Sequence, residues 1–401
     1  MIAEKRLRIL TFSTLYPNAA QPNHGVFVET RLRRLVETHP VDVQVMAPVP
    51  WFPSTAPRFG SYAKFAAAPK QETRFDIPIT HPCYPVIPRV GMTIAPYLLY
   101  RAVRAPMARM LEQMGGADLI DAHYFYPDGV AAALLARDFG LPFTVTARGT
   151  DINLIPQHAL PRKQILWAAK RADAMITVCQ ALKDALLDLG VPGDNIHPLR
   201  NGVDLDLFSP KPRAAARAAF GLSAEETVLV SVGALIERKG HHITIAALPA
   251  LPGMRLLIAG DGPERANLLA QAAELGVADR VRLLGPVPHG NLADLYTAAD
   301  LSILSSSREG WANVLLESMA CGTPVIATDV WGTPEVVASP AAGVLMKDRT
   351  ADALAAATTQ ALAAGVDRAA TRTYAENFDW RPTSDGLYQL FAKIAGQSEG
   401  R

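Results

Sequence analysis

The chain of 401 residues contains little cysteine, and Cys83, Cys179 and Cys321 are odd in number and widely separated. This spacing argues against a disulfide framework and against a Cys/His zinc site, so we expect a reducing, cytoplasmic setting. Charged residues are also sparse, at 19% beside 49% hydrophobic residues, a composition typical of a globular chain and not of a disordered one.

Long apolar runs are absent as well. No stretch reaches the roughly 18–20 consecutive apolar residues that a membrane-spanning helix needs. The first ten residues form a short charged lead into a strand pattern and lack the apolar core of a signal peptide. The length of the chain favours two domains of roughly 200 residues each over a single core.

Positive charge is concentrated in the first part of the chain. Residues 1–111 contain 14 Lys or Arg and 6 Asp or Glu, whereas residues 112–401 contain 25 and 32. Because the net charge is only +1, this asymmetry indicates an anionic partner for the first part, such as a lipid diphosphate or a negative membrane surface. A basic face that is merely solvated explains the same numbers equally well.

The segment between Pro48 and Pro106 is rich in proline, arginine and aromatic residues. It is too long for a plain loop in a compact domain, which indicates that it has order or a function. We expect an acceptor-side insertion or a membrane-facing surface. Burial of Trp51 and Phe52 in the core is the alternative.

Short apolar strands alternate with helical stretches in two series, separated by a turn and linker at Arg200–Pro212. The first series has strands at Leu7–Phe12, Val41–Ala47, Asp118–Asp121, Phe143–Ala147 and Ala174–Val178, with helices at Val26–Glu37, Gly129–Phe139, Gln164–Ala172 and Gln180–Leu189. The second has strands at Val228–Val232, Met254–Ala259, Val281–Leu284, Leu301–Leu304, Val325–Ala327 and Gly343–Met346. This alternation predicts two doubly wound parallel-sheet domains of the α/β class.

Two glutamates, Glu309 and Glu317, stand eight positions apart around the start of a predicted helix. Asn313 is a good N-cap, so the helix would open at Val314 and Glu309 would face its N-terminus. Free N–H groups at that end favour a phosphate, and the two carboxylates could hold a sugar and a ribose through their hydroxyls. For the two glutamates alone, an amphipathic helix with a solvated acidic face is the favoured explanation.

The string from Glu309 to Thr328, Glu-Gly-x-x-Asn-x-x-x-Glu-x-x-Ala-x-Gly-x-Pro-Val-Ile-Ala-Thr, closely resembles the donor-site signature of the retaining glycosyltransferases of family 4. The resemblance implies the GT-B fold, in which two Rossmann-like domains face a central cleft. It implies an acceptor-binding domain over residues 1–205 and a nucleotide-sugar-binding domain over residues 206–375. A helix in residues 376–401 would cross back to the first domain.

Arg238 and Lys239 follow Gly233 at a strand-to-helix turn, where a forked guanidinium and a point charge can reach a diphosphate. They resemble the Arg/Lys pair that the family uses on the leaving nucleoside diphosphate. Gly233 is also expected to contact the donor, together with these residues of the glutamate motif: Gly310, Trp311, Ala312, Asn313, Val314, Leu315 and Glu317. We expect the Gly260-Asp261-Gly262 turn to be structural, and His289 to lie near the nucleotide base.

In the first domain, Gly25 precedes a helix and is the best candidate for close backbone approach to a phosphate or sugar. His123 resembles the family histidine beside the donor sugar, although a satisfied structural histidine is the alternative. Arg148 stands where many relatives have histidine and is expected to bind phosphate or acceptor. Asn201 lies in an Asn-Gly-Val-Asp element that lines the cleft in the family.

The resemblance implies a retaining, metal-independent transfer of a hexose from a UDP- or GDP-linked sugar to an acceptor hydroxyl. Glu309 would orient the sugar, Arg238 and Lys239 would neutralise the diphosphate, and His123 would act from the other domain, assembled by closure about a hinge at 205–215. We expect no cofactor and no metal, because the Asp-x-Asp sequence at Asp204 belongs to the linker.

The acceptor is expected to be a glycan or a lipid-linked intermediate of a cell-surface polysaccharide. Peripheral contact with an anionic membrane at its inner face is also expected, and no contact with nucleic acid. Two alternatives are a nucleotide-sugar 2-epimerase of the same fold and a catalytically silent sugar-nucleotide binding module. The first lacks the paired-glutamate signature, and the second has no need of Glu309, Arg238 and Lys239.

Overall fold

The computed structural model describes residues 6–87, 91–365 and 367–398. The chain divides into two compact units. The first unit comprises Met1–Arg200 together with Arg381–Arg401, and the second comprises Asn201–Trp380. The C-terminal helix, Arg381–Ser398, therefore belongs to the first unit.

The first unit is built on a sheet whose strands are near-continuous apolar runs. Its strands are β1 Leu7–Phe12, β2 Val41–Met46, β3 Val49–Pro50, β4 Gln71–Arg74, β5 Ile77–Thr80, β6 Cys83–Tyr84, β7 Leu119–His123, β8 Phe143–Ala147, β9 Ala174–Thr177 and β10 Ile196–Pro198. Its helices before the C-terminal one are α1 Val26–Thr38, α2 Ser61–Ala66, α3 Ala95–Met114, α4 Val130–Phe139, α5 Thr150–Asn153, α6 Ala159–Ala169 and α7 Gln180–Asp188.

The main sheet of the first unit has the strand order β10-β9-β8-β7-β1-β2-β5-β4 among the described residues. All neighbours are parallel except β4 and β5, which form an antiparallel hairpin. Strands β3 and β6 form a separate parallel pair. The chain moves outward from β1 on one side and returns beside it with β7, so the topological switch point lies between β1 and β7.

The C-terminal helix is part of the core of the first unit. Leu387 and Phe391 pack in one cluster with Leu7, Ile9 and Leu35, which come from β1 and α1. Phe391 has no exposed surface. Burial of an aromatic side chain of this size is a large contribution to stability, so the helix holds this face of the sheet.

The second unit has a six-stranded sheet with the order β13-β12-β11-β14-β15-β16 in the part of the chain described, and all neighbours are parallel. Its strands are β11 Thr227–Val232, β12 Met254–Ala259, β13 Val281–Gly285, β14 Leu301–Leu304, β15 Val325–Thr328 and β16 Gly343–Met346. Its helices are α8 Arg213–Ala219, α9 His241–Ala247, α10 Arg265–Glu274, α11 Leu292–Ala298, α12 Asn313–Ala320, α13 Thr333–Val336, α14 Ala351–Ala363 and α15 Arg368–Ala375. This is the doubly wound Rossmann order, with its switch point between β11 and β14.

Two sequence expectations differ from the structure in the first unit. The helix predicted over Gln164–Ala172 begins at Ala159, because Pro161 falls in its first turn, where a missing N–H is tolerated. Trp51 is 59% exposed, so the alternative of a buried Trp51 is wrong, while Phe52 is partly buried between other rings. The Pro-rich segment is ordered over its described residues and contributes β3, α2, the β4–β5 hairpin and β6.

Candidate active site

The loops that follow β11 and β14 meet at the switch point of the second unit. Since β11 and β14 are parallel neighbours, their carboxyl ends place these two loops side by side. The Ser307 N–H donates to the Arg238 carbonyl at 2.9 Å, and Arg238 Nη1 donates to the Arg308 carbonyl at 2.7 Å. Arg349 joins both loops from outside, donating to the carbonyls of Ser305 (2.8 Å) and Glu237 (2.9 Å).

Glu309 is held at the centre of this junction. Lys239 Nζ donates to its Oε1 at 2.7 Å, Ser306 Oγ donates to the same oxygen at 2.6 Å, and Arg238 Nη1 lies 3.5 Å away. Burial alone would raise the pKa of Glu309, but the charges of Lys239 and Arg238 outweigh it and hold the pKa below its ordinary value. The structure thus brings the three predicted catalytic residues of this unit together around an ionised carboxylate.

The start of α12 differs from the prediction. The helix begins at Asn313 itself with Ala312 as the preceding residue, and no side chain caps it. The expectation that Asn313 caps the helix is therefore wrong. The Asn313 Oδ1 instead accepts a hydrogen bond from Asn201 Nδ2 at 3.3 Å, an interaction across 112 residues that a local capping rule does not contain.

The remaining residues predicted in the glutamate motif line the same loop and helix. Gly310, Trp311, Ala312 and Leu315 are buried, and Val314 is partly buried. The Trp311 ring lies 6.1 Å from the Phe378 ring.

Glu317 points from α12 toward α11. Its Oε1 lies 3.1 Å from His289 Nε2, and its Oε2 accepts from the Tyr296 hydroxyl at 3.2 Å. Burial, and then the Glu317 charge, raise the pKa of Tyr296 well above its ordinary value, so this hydroxyl stays a donor. His289 therefore lies against Glu317, and Tyr296 is a neighbour that sequence reasoning missed because it is an ordinary apolar-face residue of α11.

The glycine turn after β12 supports the loop that carries Arg238. A Cβ at Gly260 would lie 1.8 Å from the Gly233 carbonyl oxygen, and one at Gly262 would lie 2.4 Å from the Leu235 carbonyl oxygen. Both glycines allow the turn to pack directly on the backbone of the Gly233–Leu235 stretch. This close packing agrees with the expected structural role of the turn.

In the first unit, His123 ends β7 beside the switch point and both of its ring nitrogens are engaged. Nδ1 lies 2.6 Å from Arg148 Nη2, and Nε2 lies 3.1 Å from Asp121 Oδ2. Since a guanidinium can only donate, Nδ1 must accept, and Nε2 carries the proton that is donated to Asp121. Burial lowers the pKa of His123 to about 4, so the imidazole is neutral near pH 7.

Arg148 follows β8 and stacks over Phe27, with 5.4 Å between its guanidinium carbon and the ring centre. Burial and the nearby charge of Arg31 lower the pKa of Arg148. Arg31 was not predicted from sequence: it is 1% exposed on α1 and donates to the Leu199 carbonyl at 3.1 Å. A buried arginine on an amphipathic helix resembles a surface residue in sequence, which is why no pattern found it.

Gly25 immediately precedes α1 and adopts a left-handed conformation with φ of 72°. Nearby, Asp128 is fully buried and accepts from the Thr14 N–H at 2.6 Å and from the Thr14 hydroxyl at 2.9 Å. Burial raises the pKa of Asp128 to about 8. Gly25, His123 and Arg148 thus lie in loops or strand ends at the carboxyl edge of the first sheet, while the donor-motif residues belong to the second unit.

Across residues 6–87, 91–365 and 367–398, no group of three or more His, Cys, Asp or Glu side chains is arranged to hold a metal ion. Within the same ranges, none of the helices combines the length and apolar character needed to cross a bilayer.

Comparison with protein families and with curated proteins identifies close likenesses. The family model "Glycosyl transferases group 1" matches residues 212–378, and "Glycosyltransferase Family 4" matches residues 65–207. A D-inositol 3-phosphate glycosyltransferase from Mycobacteroides abscessus is 34% identical over 308 residues, covering 71% of this chain and 68% of the relative. TuaC of Bacillus subtilis, named as a teichuronic acid biosynthesis glycosyltransferase, is 28% identical over 390 residues, covering 96% and 93%.

Solved structures show the same fold. A sucrose-phosphate synthase from Thermosynechococcus elongatus superimposes with a TM-score of 0.80 over 98% of this chain and 100% of that chain, at 24% identity. Anabaena HepE in complex with UDP-glucose superimposes with a TM-score of 0.75 over 97% and 100%, at 20% identity. The predicted GT-B fold class is confirmed. The chain belongs to the group 1 glycosyl transferases of glycosyltransferase family 4 and is a glycosyltransferase.

Proposed function

We propose that this glycosyltransferase moves a hexose from a nucleoside diphosphate sugar to an acceptor hydroxyl with retention of anomeric configuration and without a metal ion. The observation that carries the proposal is the junction at the switch point of the second unit. There a buried, ionised Glu309 sits against Lys239 at 2.7 Å and Arg238 at 3.5 Å. A carboxylate accepts hydrogen bonds from sugar hydroxyls. The two cations can pair with the negative charge of the departing diphosphate.

In the same proposal, Glu317 binds the nucleoside part of the donor. The Glu317 side chain is 11% exposed, and its carboxylate is oriented by Tyr296 and His289. Carboxylates at this type of Rossmann crevice bind ribose hydroxyls. Because the Glu317 carboxylate is already oriented, it loses less conformational entropy when the ligand binds. We assign Glu317 to the ribose and His289 to the neighbourhood of the base.

Uracil is the first base to test. The Anabaena HepE structures contain UDP and UDP-glucose, and their likeness to this chain extends over the whole fold. For the acceptor, the name of TuaC points to a polymer of the cell surface and that of the mycobacterial relatives to an inositol phosphate. We propose a glycan or lipid-linked intermediate as the acceptor class, held by the first unit.

In the proposed transfer, the bond between the sugar C1 and the diphosphate oxygen breaks, and its electron pair leaves with the diphosphate. The acceptor oxygen forms the new bond to C1 on the same face, and its proton passes to the departing phosphate oxygen. Arg238 and Lys239 stabilise the negative charge that develops on the diphosphate, an effect that can supply several kcal/mol. Glu309 orients the sugar so that the acceptor and leaving group share one face.

A donor panel with matched variants tests this proposal. Wild-type protein, Glu309→Gln and Glu317→Gln are assayed with UDP-, GDP- and ADP-linked hexoses for nucleotide release and for product by mass spectrometry, with EDTA present and absent. We expect Glu309→Gln to lower kcat by at least ~100-fold, because the carboxylate stabilises the transition state. The affinity for UDP should stay similar, because UDP lacks the sugar that Glu309 contacts. Glu317→Gln should mainly weaken nucleotide binding, by about 10-fold.

Glu237→Gln is the matched control, because Glu237 lies in the same loop with a side chain 74% exposed. Its kcat should equal that of the wild type. NMR of the product anomer decides between retention and inversion. Nucleotide release from none of the donors, or full activity of Glu309→Gln, would contradict the donor-site assignment and favour a silent binding module or a different site.

A further inference from the structure

Trp331 has a backbone conformation that its residue type seldom adopts. It follows β15 and has a φ of 51°, in the left-handed region. In the described part of the second unit, residues 201–365 and 367–380, it is the only residue other than glycine with a positive φ. Left-handed backbone brings the Cβ of an L-residue too close to a carbonyl oxygen, so for a bulky side chain it is a strained state. Strained residues of this kind cluster at ligand sites.

The turn around Trp331 does not use its glycine to relieve this strain. The Thr333 N–H donates to the Val330 carbonyl at 3.0 Å, which closes a four-residue turn. Gly332 has a φ of −75° and a ψ of −3°, a conformation that any residue adopts. The glycine therefore stands one position after the residue whose backbone favours glycine. Folding of this turn does not require an indole at position 331, since glycine would adopt the same backbone without strain.

The Trp331 side chain has no polar or ring partner that accounts for its place. It is partly exposed. Among the residues that the structure describes, none accepts from the indole N–H, stacks on the ring or places a cation over it. Phe75 is the contrasting case, because it is also left-handed, with a φ of 50°, but the Arg33 guanidinium lies over its ring at 4.8 Å. A partly exposed indole offers a ligand both an apolar face and an N–H donor.

The strand order places the loop of Trp331 next to that of Glu309. Strands β11, β14 and β15 are successive parallel neighbours, so the loops at their carboxyl ends follow one another along one edge of the sheet. The β11 loop carries the cations Arg238 and Lys239, and the β14 loop carries Glu309. The β15 loop, with Trp331, therefore borders the Glu309 loop on the side opposite to the two cations.

A chain of aromatic contacts ties the segment after Trp331 to the glutamate motif. The Trp311 ring, at the start of α12, lies 6.1 Å from the Phe378 ring, which lies 5.4 Å from the Tyr374 ring. The Tyr374 hydroxyl donates to the Val336 carbonyl, at the end of α13, at 3.0 Å. Since α13 begins two residues after Trp331, these contacts fix the position of the turn relative to the motif that contains Glu309.

We propose that the Trp331 indole contacts the hexose of the donor and determines which hexose is accepted. The inference rests on the proposed function, which assigns the diphosphate to the β11 loop and the sugar to Glu309 in the β14 loop. The next loop along the edge then meets the part of the hexose that points away from the diphosphate. The C–H groups on one face of a hexose ring pack on the electron-rich face of an indole. Because epimers differ in where an axial hydroxyl interrupts that face, the indole discriminates between them.

Calorimetric titration of the full chain tests the proposal. The ligands are UDP, UDP-glucose and UDP-galactose, together with GDP and GDP-mannose. We expect Trp331→Gly and Trp331→Ala to raise the Kd of the hexose donor that the wild-type protein binds best by about 10-fold. The Kd of the matching sugar-free nucleotide should stay unchanged, since that ligand has no ring for the indole to contact. Trp331→Phe keeps an aromatic face and should retain most of the affinity for the hexose donor.

Two comparisons separate the indole from the strained backbone. Trp331→Gly and Trp331→Ala both lack the ring, but only glycine relieves the left-handed backbone, so Trp331→Gly should melt at a higher temperature than Trp331→Ala. Both variants should nevertheless bind the hexose donor equally weakly. Phe75→Gly is the matched control, because it removes a left-handed aromatic residue, 54% exposed, at the tip of the β4–β5 hairpin of the first unit. It should bind every ligand like the wild type.

Unchanged affinity of Trp331→Gly for the hexose donor would overturn the proposal and leave the acceptor as the group that the indole meets. An equal loss of affinity for the donor and for its sugar-free nucleotide would also overturn it, since the indole would then act on the nucleotide or on the fold. Failure of the wild-type protein to bind any nucleotide would instead overturn the proposed function, and this proposal with it. Nucleotide binding by the wild type thus tests the proposed function, and the difference between donor and sugar-free nucleotide tests the role of Trp331.

Discussion

Gly25 shows how a single residue controls the carboxyl edge of the first sheet. Its φ of 72° lies in the left-handed region, and an added Cβ would be 2.3 Å from the Leu15 carbonyl oxygen. The turn that leads into α1 is packed directly on the backbone of the loop after β1. Gly140, the residue that follows α4, has a similar φ of 64° but nothing within 4 Å of an added Cβ.

We predict that Gly25→Ala lowers the free energy of unfolding by more than Gly140→Ala. Left-handed backbone costs alanine about 1 kcal/mol at both positions, and the overlap with Leu15 adds to it only at Gly25. We expect a difference of about 2 kcal/mol or more. Urea unfolding of the two variants measures it, and equal losses would show that the loop around Leu15 yields to the new side chain.

Buried histidines predict how stability depends on pH. Burial lowers the pKa of both His123 and His241 from 6.5 to about 4. Between these values the two histidines bind more protons in the unfolded chain than in the folded one. Their contribution to the free energy of unfolding therefore falls as the pH drops from about 6.5 to about 4, whereas buried Asp128, with its pKa raised to about 8, contributes with the opposite sign. Each group contributes up to about 1 kcal/mol per pH unit in that window.

Urea unfolding at about pH 7 and about pH 5 measures this dependence. Between about pH 7 and about pH 5, the stability of His241→Gln should change more favourably than that of the wild type, because one of the two destabilising histidine contributions is gone. Gln can still donate to the Ala234 carbonyl that His241 Nε2 reaches at 3.2 Å. An equal change in stability between the two pH values in both proteins would show that His241 does not contribute to the pH dependence.

At the scale of elements, Asp151 joins the start of α5 to the turn after β7. Its carboxylate accepts from the backbone N–H groups of Phe125 (2.8 Å), Gly149 (2.8 Å) and Arg148 (3.1 Å). The side chain is fully buried, and burial outweighs these hydrogen bonds and raises its pKa. This one residue fixes the positions of the two loops that carry His123 and Arg148.

We predict that Asp151→Ala costs about 3 kcal/mol or more, because several buried N–H groups lose their acceptor. Asp151→Asn should cost less, since the amide oxygen still accepts and no charge is buried. Hydrogen exchange of the Phe125 and Gly149 amides locates the effect. Similar costs for the two substitutions would mean that the charge, and not the acceptor, is what the site requires.

For the whole molecule, the chain passes through the second unit before its last helix completes the first. Phe391 of that helix lies in the core with Leu7 and Ile9 of β1. The stability of the first unit therefore depends on residues at the far end of the chain. The second unit is continuous in sequence and has its own core cluster, which includes Leu229, Leu256 and Leu301.

Phe391→Ala should lower the stability of the first unit by about 3–5 kcal/mol, the usual cost of truncating a buried Phe. Hydrogen exchange should then rise in β1 and β7 and stay unchanged in β11 and β14. Gln389→Ala, on the exposed face of the same helix, is the control and should leave both units unchanged. Faster exchange in β11 would show that the two units do not unfold independently.

The sequence by itself missed β3 to β6 and β10 of the first unit, but it determined the parallel-sheet class, the eleven predicted strands to within a few residues and the donor motif around Glu309. These follow from local signals, since apolar runs of strand length and glycine at strand ends act within a few neighbouring positions. The family signature is likewise one continuous string. Lys239 could be named because it lies at a strand-to-helix turn and resembles the family's Arg/Lys pair, and the structure adds that the strands before Lys239 and Glu309 are neighbours.

Only the tertiary structure decided which side chains meet across long sequence separations. Tyr296 and His289 orient Glu317, Arg148 fixes the tautomer of His123, and Asn313 pairs with Asn201 where a helix cap was expected. The exposure of Trp51 was likewise open between two readings until the fold placed it. Such contacts depend on the packing of whole elements, and a residue's own type and neighbours do not encode the partner that packing brings to it.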